Sequence, residues 1–196
     1  DFSTNNWTNI GTGTGVNTTT EVMDWNGIRN GTQVASYYDL TSVDNTAFIL
    51  RFKLIISDFS SGLGADIIFM GISNNTSESG SAQDSIGLTT ATYNNYFDGI
   101  GADNADTNSG QRFSTTPNTN TYYIQIKRTS STSCTIGIYS NSDYSTLTEE
   151  EVITITSGLT SLRYIKFTNL SAPSTGGSLN GTIDDIQFRD GFSEPL

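Results

Sequence analysis

Residues 47–56, AFILRFKLII, constrain the fold more than any other stretch of the chain. Phe48, Leu50, Phe52, Leu54 and Ile56 occupy every second position, with Arg51 and Lys53 between them. Successive side chains of a β-strand point to opposite sides, so this period of two predicts a strand with an apolar face and a wet face. A helix would scatter the same residues around its circumference. A chain built on such a strand must supply a second apolar layer to cover it.

Material for that layer recurs along the sequence. ADIIFMGI (65–72) is apolar on both parities, which predicts a central strand covered on both sides. YYIQIKR and CTIGIYS flank the polar turn TSSTS and predict a hairpin. Further strands are predicted near Trp7, on either side of the Asn-Gly turns at 26–27 and 30–31, at 84–92, 151–156 and 162–168, and over 181–190. The strand near Trp7 must be tied to a later one. Nothing is convincingly helical beyond a turn near 143–149. About a dozen short strands separated by turn signals predict an all-β, two-sheet antiparallel sandwich in a single domain over 1–196. Hydrophobic content is only 34%, and Ser, Thr, Asn and Gly fill the deficit; ten Phe and nine Tyr restore the core volume. The three glycines at 11, 13 and 15 lack phosphate-loop spacing and read as turn residues, and Trp7 and Trp25 read as sheet-packing residues.

Charge narrows the function. The net charge of −11 opposes nucleic acid and anionic membrane surfaces, which need clustered Lys and Arg. No apolar run of about 20 residues is present to insert in a bilayer. Most cations (Arg51, Lys53, Lys127, Arg128, Arg163, Lys166) fall in predicted strands, and many acids (Asp58, Glu78, Asp98, Asp103, Asp106, Asp143) in predicted loops. With no His, a nucleophile paired with imidazole and a His-ligated metal are both excluded. The single Cys134 alternates with Ile136 and Ile138 and reads as a buried thiol. Sequons at Asn6, Asn17, Asn30, Asn74, Asn75, Asn169 and Asn180 suggest glycosylation, and with it a secreted or surface-displayed protein. Chance alone would supply several of them in so Asn-, Ser- and Thr-rich a chain.

Three stretches carry candidate sites. GTIDDIQFRDG (181–191) reads as a strand whose alternation puts Asp184 on the face of Ile186 and Phe188, where a carboxylate needs an ion or hydrogen-bond donors. YNNYFDGIGADNADTNSGQRF is the most irregular region. Within it Tyr93, Asn94, Asn95, Tyr96 and Asp98 combine aromatic faces with hydrogen-bonding groups, as a sugar site requires. Asp103, Asp106 and Asn108 offer oxygens of the kind calcium takes.

The long amphipathic strand, the YYIQIKR hairpin and the closing TIDDIQF strand together resemble the concanavalin A-like lectin and glucanase jelly rolls, including laminin G-like domains. The resemblance spans most of the chain and implies a lectin-like fold. It also implies calcium near Asp184, shared with Asp1 or Phe2 at the N-terminus. Laminarinase-type members carry a Glu-x-Asp-x-x-Glu strand; here the nearest arrangement, Glu149 and Glu151, has Glu150 in place of the Asp and no third carboxylate, so a non-catalytic member is expected. A chain beginning at Asp1, with no second module, points to a mature or excised extracellular protein. The expected role is a self-assembling filament or coat subunit that packs against copies of itself. Glycan binding is the alternative.

Overall fold

A computed structural model describes residues 6–10, 15–17, 22–24, 35–44, 46–60, 67–76, 84–91, 95–103, 106–107, 111–155, 159, 161–169 and 178–191. Its strands are β1 (Trp7–Ile10), β2 (Gly15–Asn17), β3 (Val22–Asp24), β4 (Ala35–Asp39), β5 (Phe48–Ser60), β6 (Ile67–Ser73), β7 (Ser85–Ala91), β8 (Tyr96–Asp103), β9 (Asp106–Thr107), β10 (Gln111–Arg112), β11 (Asn120–Ser130), β12 (Ser133–Tyr139), β13 (Leu147–Thr154), β14 (Tyr164–Asn169) and β15 (Ser178–Asp190). They form two antiparallel sheets. The first runs β1-β4-β14-β6-β7-β8-β10, with β9 on β8, and the second β13-β12-β11-β5-β15-β3-β2.

The alternating strand sits at the centre of the second sheet. Phe48, Leu50, Phe52, Leu54 and Ile56 of β5 are all buried against Met70, Ile72, Leu88 and Phe167 of the first sheet. Aromatic rings bridge the layers: Phe52 meets Phe167 edge-on at 5.8 Å, Phe97 meets Tyr122 at 5.1 Å, and Phe167 stacks on Trp7 at 5.7 Å. Trp7 is thus a core residue, and β1 is tied to β4 as expected. Trp25 and the Asn-Gly turns lie outside the described residues; β3 and β4, which flank them, belong to opposite sheets. Cys134 is fully buried, and burial pushes its thiol up to about 12, which leaves no reactive thiolate at neutral pH. The region near 143–149 is a tight turn followed by the start of β13, not a helical turn.

Four of the acids expected in loops, Asp58, Asp98, Asp103 and Asp106, lie in β5, β8 and β9, because those strands extend beyond the apolar alternation that marks a strand in the sequence. Two other expectations fail for identifiable reasons. The stretch 93–113 is not an irregular loop, because β8 spans Tyr96–Asp103 and pairs with β7 and β10. Its inward positions beyond Phe97 are Gly99 and Gly101, so no apolar alternation shows. A Cβ at Gly99 would lie 2.6 Å from Ile153 Cδ1, so the opposite sheet fills the space a side chain would take. The second correction concerns the closing strand. Asp184 pairs with Lys53, but Gln187 pairs with Arg51, so Asp185 and Ile186 together oppose Phe52 alone. This is a β-bulge with Asp185 in the left-handed region at φ 51°. The extra residue flips the parity. Ile183, Ile186 and Phe188 pack on the core while Asp184 faces outward beside Lys53.

The outer surfaces of the two sheets differ. On the first sheet the outward Phe69, Ser73, Lys166 and Thr168 are buried as well, which matches the doubly covered strand expected at 65–72. On the second sheet Arg51, Lys53, Tyr123 and Tyr139 are only half-buried. Towards the edges of the first sheet the outward Tyr37, Tyr96, Asp98 and Tyr164 are half-buried too, so both outer faces offer partly exposed side chains to a ligand.

Candidate functional site

The second sheet ends in the β12–β13 hairpin, whose loop is held by its own side chains. Asn141 Nδ2 donates to Ser145 Oγ at 2.8 Å, and Asn141 Oδ1 accepts the Thr146 amide at 3.0 Å. Asp143 accepts the Ser145 amide at 3.1 Å. These bonds fix Tyr144 at φ 57° and lay it over the sheet, 5.5 Å from the Tyr139 ring and 6.1 Å from Tyr123. Burial pushes the Tyr144 phenol above its usual range, against the pull of the Arg51 charge.

Beside this hairpin an open cleft of about 420 Å³ lies where the loop at 113–119 crosses the ends of β11, β12 and β13. Its rim carries Ser114, Thr116, Asn118, Asn120 and Thr148, with Tyr139 at one side. Tyr122 forms the floor: its hydroxyl accepts the Asn118 amide at 3.0 Å and has Asn118 Oδ1, also at 3.0 Å, within reach of its proton. The loop is anchored from below by one carboxylate. Glu149 accepts the Ser114 amide at 2.7 Å, the Ser114 hydroxyl at 2.8 Å and the Thr115 amide at 2.7 Å.

Desolvation opposes the Glu149 charge, but the amides and hydroxyls of Ser114 and Thr115 outweigh it and hold the carboxyl below its ordinary range. A depressed folded pKa contributes stability that is present above the unfolded value and lost as pH falls through the folded one. Glu149→Ala is expected to cost about 1–2 kcal/mol at pH 7, at and just below the low end of the range for charged hydrogen bonds because the group is partly exposed. Urea unfolding and amide exchange at Ser114 and Thr115 check this, and the difference from the parent protein should vanish in acid below the ordinary glutamate range.

The arrangement suits recognition of neutral hydroxyl-rich groups. The named rim side chains are uncharged donors and acceptors, with an aromatic ring beside them, and the one carboxylate beneath is engaged. Glu149 and Glu151 stand opposite Ile138 and Ile136 on the edge strand β13, and Glu149 serves as the loop anchor.

The candidate residues expected from sequence lie outside this cleft. Tyr93 and Asn94 fall outside the described residues. Asn95 is an exposed turn residue at φ 52°, and Tyr96 and Asp98 project from β8. The Arg112 guanidinium lies 3.6 Å from the Tyr96 ring centroid, so one face of that ring is taken. Burial raises the Asp98 pKa, and Arg112, 3.9 Å away, opposes the rise. Asp103 and Asp106 are cross-strand neighbours at the β8–β9 hairpin, and Asn108 lies outside the described residues. Asp184 Oδ2 faces Lys53 Nζ at 3.4 Å and its Oδ1 accepts the Asp185 amide at 2.8 Å, so it is an outward rather than a core carboxylate; Asp1 and Phe2, with which it was expected to share calcium, lie outside the described residues. Of the sequon asparagines, Asn6 is exposed before β1, Asn74 and Asn75 follow β6, and Asn17 and Asn169 lie in strands. Asn180 in β15 donates to Asp58 at 3.1 Å, and Asn30 is not described. Sequence reasoning passed over the cleft. Its signal was the run STTPNTNT at 114–121, which reads as an ordinary polar loop.

Among the described residues no group of three or more His, Cys, Asp or Glu could hold a metal ion. The cleft rim, being neutral, does not fit calcium.

No protein-family model matches the chain, and no curated protein matches it. Solved structures do. Arcelin-5, a lectin-like defense protein from Phaseolus vulgaris, superposes with a TM-score of 0.64 at 11% identity over 93% of this chain and 91% of that one. The exoplasmic/lumenal domain of VIP36, in its Ca2+/Man2-bound form, gives 0.67 at 9% identity over 97% and 83%. Lectin I-B4 from Griffonia simplicifolia gives 0.62 at 12% identity over 94% and 92%. The fold is therefore that of the concanavalin A-like lectins.

Proposed function

We propose that this concanavalin A-like jelly roll is a non-catalytic glycan-binding module of an extracellular or secretory compartment, with its sugar site in the cleft between the 113–119 loop and Tyr139. The cleft itself carries the reading: Ser, Thr and Asn side chains line it beside the half-buried Tyr139 ring at the end of the second sheet. Neighbours with sugar in their structures, such as mannose-bound VIP36, support it at the level of the fold. Sequons such as exposed Asn6 belong to the same compartment.

Tyr139→Ala is expected to weaken oligosaccharide binding about tenfold, roughly 1.4 kcal/mol. Titration calorimetry with a panel of neutral oligosaccharides checks this, and unchanged affinity in the variant would remove the cleft from the proposal. Chelator should leave that affinity unchanged. A calcium role belongs instead with Asp103, Asp106 and Asn108 and reads out as a melting temperature that falls with chelator.

Filament or coat assembly by strand addition would use the open edge β13, where Val152 is 56% exposed and Leu147 49%. The same strand carries Glu149, Glu150 and Glu151. Charge on an edge strand discourages pairing with another edge, and two copies of this one would repel. The glycan reading is the better supported of the two.

A further inference from the structure

Arg51 occupies an unusual position on the accessible face. It stands opposite Gln125, in the row next to the one holding Lys53 and Tyr123. Its Nε donates to Gln125 Oε1 at 2.7 Å, and its guanidinium carbon lies 4.4 Å from the Tyr144 ring centroid. Gln125 in turn donates to the Tyr139 hydroxyl at 3.2 Å. Nε and one π-face are thus engaged, while the two terminal amino groups have no hydrogen-bond partner among the described residues. The hairpin loop that fixes Tyr144 therefore also fixes the plane of this guanidinium. An oriented guanidinium with its terminal fork unpaired matches a planar or tetrahedral oxyanion.

The surrounding charge points the same way. Four of the nine Lys and Arg, namely Arg51, Lys53, Lys127 and Arg189, lie on this outer face of a chain whose net charge is −11. The carboxylates on the same face are Asp184, which faces Lys53, Asp185 at the bulge, and Glu150, which stands in the Arg51 row beyond Gln125 and Gly137. Tyr139 lines the cleft and its hydroxyl accepts from Gln125, so the cleft wall is joined to Arg51 through two hydrogen bonds, although Arg51 itself does not line the cleft.

We infer that Arg51, oriented by Gln125 and Tyr144, receives the carboxylate or sulfate of an acidic saccharide whose neighbouring sugar occupies the Tyr139 cleft. This rests on the glycan-binding reading and adds the ligand class to it. The bound anion would sit against the fork, with Lys53 in the adjacent row already paired with Asp184.

The test compares three probes of equal length, a neutral oligosaccharide, an oligouronate and a sulfated oligosaccharide, against the parent protein and Arg51→Gln. At least one acidic probe is expected to bind about tenfold more tightly than the neutral one at low salt, and the advantage should shrink at high salt. In Arg51→Gln the advantage should disappear while neutral binding persists, which also shows that the variant is folded. Arg51→Lys should recover part of it, since the charge remains without the fork. Which acidic probe gains identifies carboxylate or sulfate. Equal binding of all three probes overturns the inference and leaves the glycan reading intact; no binding by any probe overturns both. A mass that rises at low salt in the parent but not in Arg51→Gln would assign the face to a second copy of the chain instead.

Discussion

Phe167→Ala is expected to destabilise the protein by about 3–5 kcal/mol, the range for truncating a fully buried Phe. The ring lies between the layers, stacked on Trp7 at 5.7 Å and edge-on to Phe52 at 5.8 Å. It therefore links β1 and β14 in the first sheet to β5 at the centre of the second. Truncation leaves a cavity that the neighbouring rings cannot close without shifting whole strands, because each is fixed in its own ladder. A total stability of about 5–15 kcal/mol for a domain makes this a large fraction of the whole. Urea denaturation gives the value directly, and a loss under 1 kcal/mol would mean that the interlayer packing is wrong. Phe167→Leu, which keeps much of the volume, should lose less.

Gly71→Ala is expected to cost about 3 kcal/mol, at the upper end for overpacking a well-packed site. Gly71 and Gly87 stand opposite each other in β6 and β7, and the Phe69 ring lies across the pair. A Cβ at position 71 would collide with the Ile86 carbonyl oxygen and lie 2.6 Å from Gly87 Cα, so backbone rather than a flexible side chain must move. Gly99→Ala provides the contrast. There the added carbon meets only the ends of Ile153 and Ile136, at 2.6 and 3.1 Å, and rotation of those side chains should hold the loss to about 1 kcal/mol. Comparable losses at both positions would contradict the difference in environment. Circular dichroism melts on both variants decide it.

The architecture was legible wherever apolar side chains mark every inward position. β5 and the β11–β12 hairpin announce themselves in this way. β8 did not, because two of its inward positions are the glycines 99 and 101; Gly99 lies under Ile153 and Ile136 of the other sheet, and the mark of a strand lay in what opposes it. The parity of β15 was hidden for a different reason. A period-two reading assumes an unbroken ladder, and the bulge at Asp185 places one extra residue between two correctly read halves. Asp184 thereby changes from a core carboxylate needing special partners into an outward one beside Lys53.

The candidate site was less legible than the fold. Its rim comes from β11, β12, β13 and the preceding loop, and its polar residues resemble any surface turn until Glu149 ties that loop to the edge strand. The role of Arg51 was equally hidden, since its orientation depends on Gln125, 74 positions away in sequence, and on Tyr144 in a different loop. The expected separation of charge held only in part: Arg51, Lys53 and Lys127 lie in strands on the outer face of the second sheet, whereas Asp58, Asp98, Asp103 and Asp106, expected in loops, lie in β5, β8 and β9.

Glycan recognition in the Tyr139 cleft is tested most directly by amide chemical-shift mapping of the isotope-labelled protein titrated with neutral and acidic oligosaccharides. Saturable shifts should gather at 114–121 and 138–140, extending to Arg51 and Gln125 for an acidic probe. Saturable shifts confined to 95–98, or none with any probe at millimolar concentration, would contradict it.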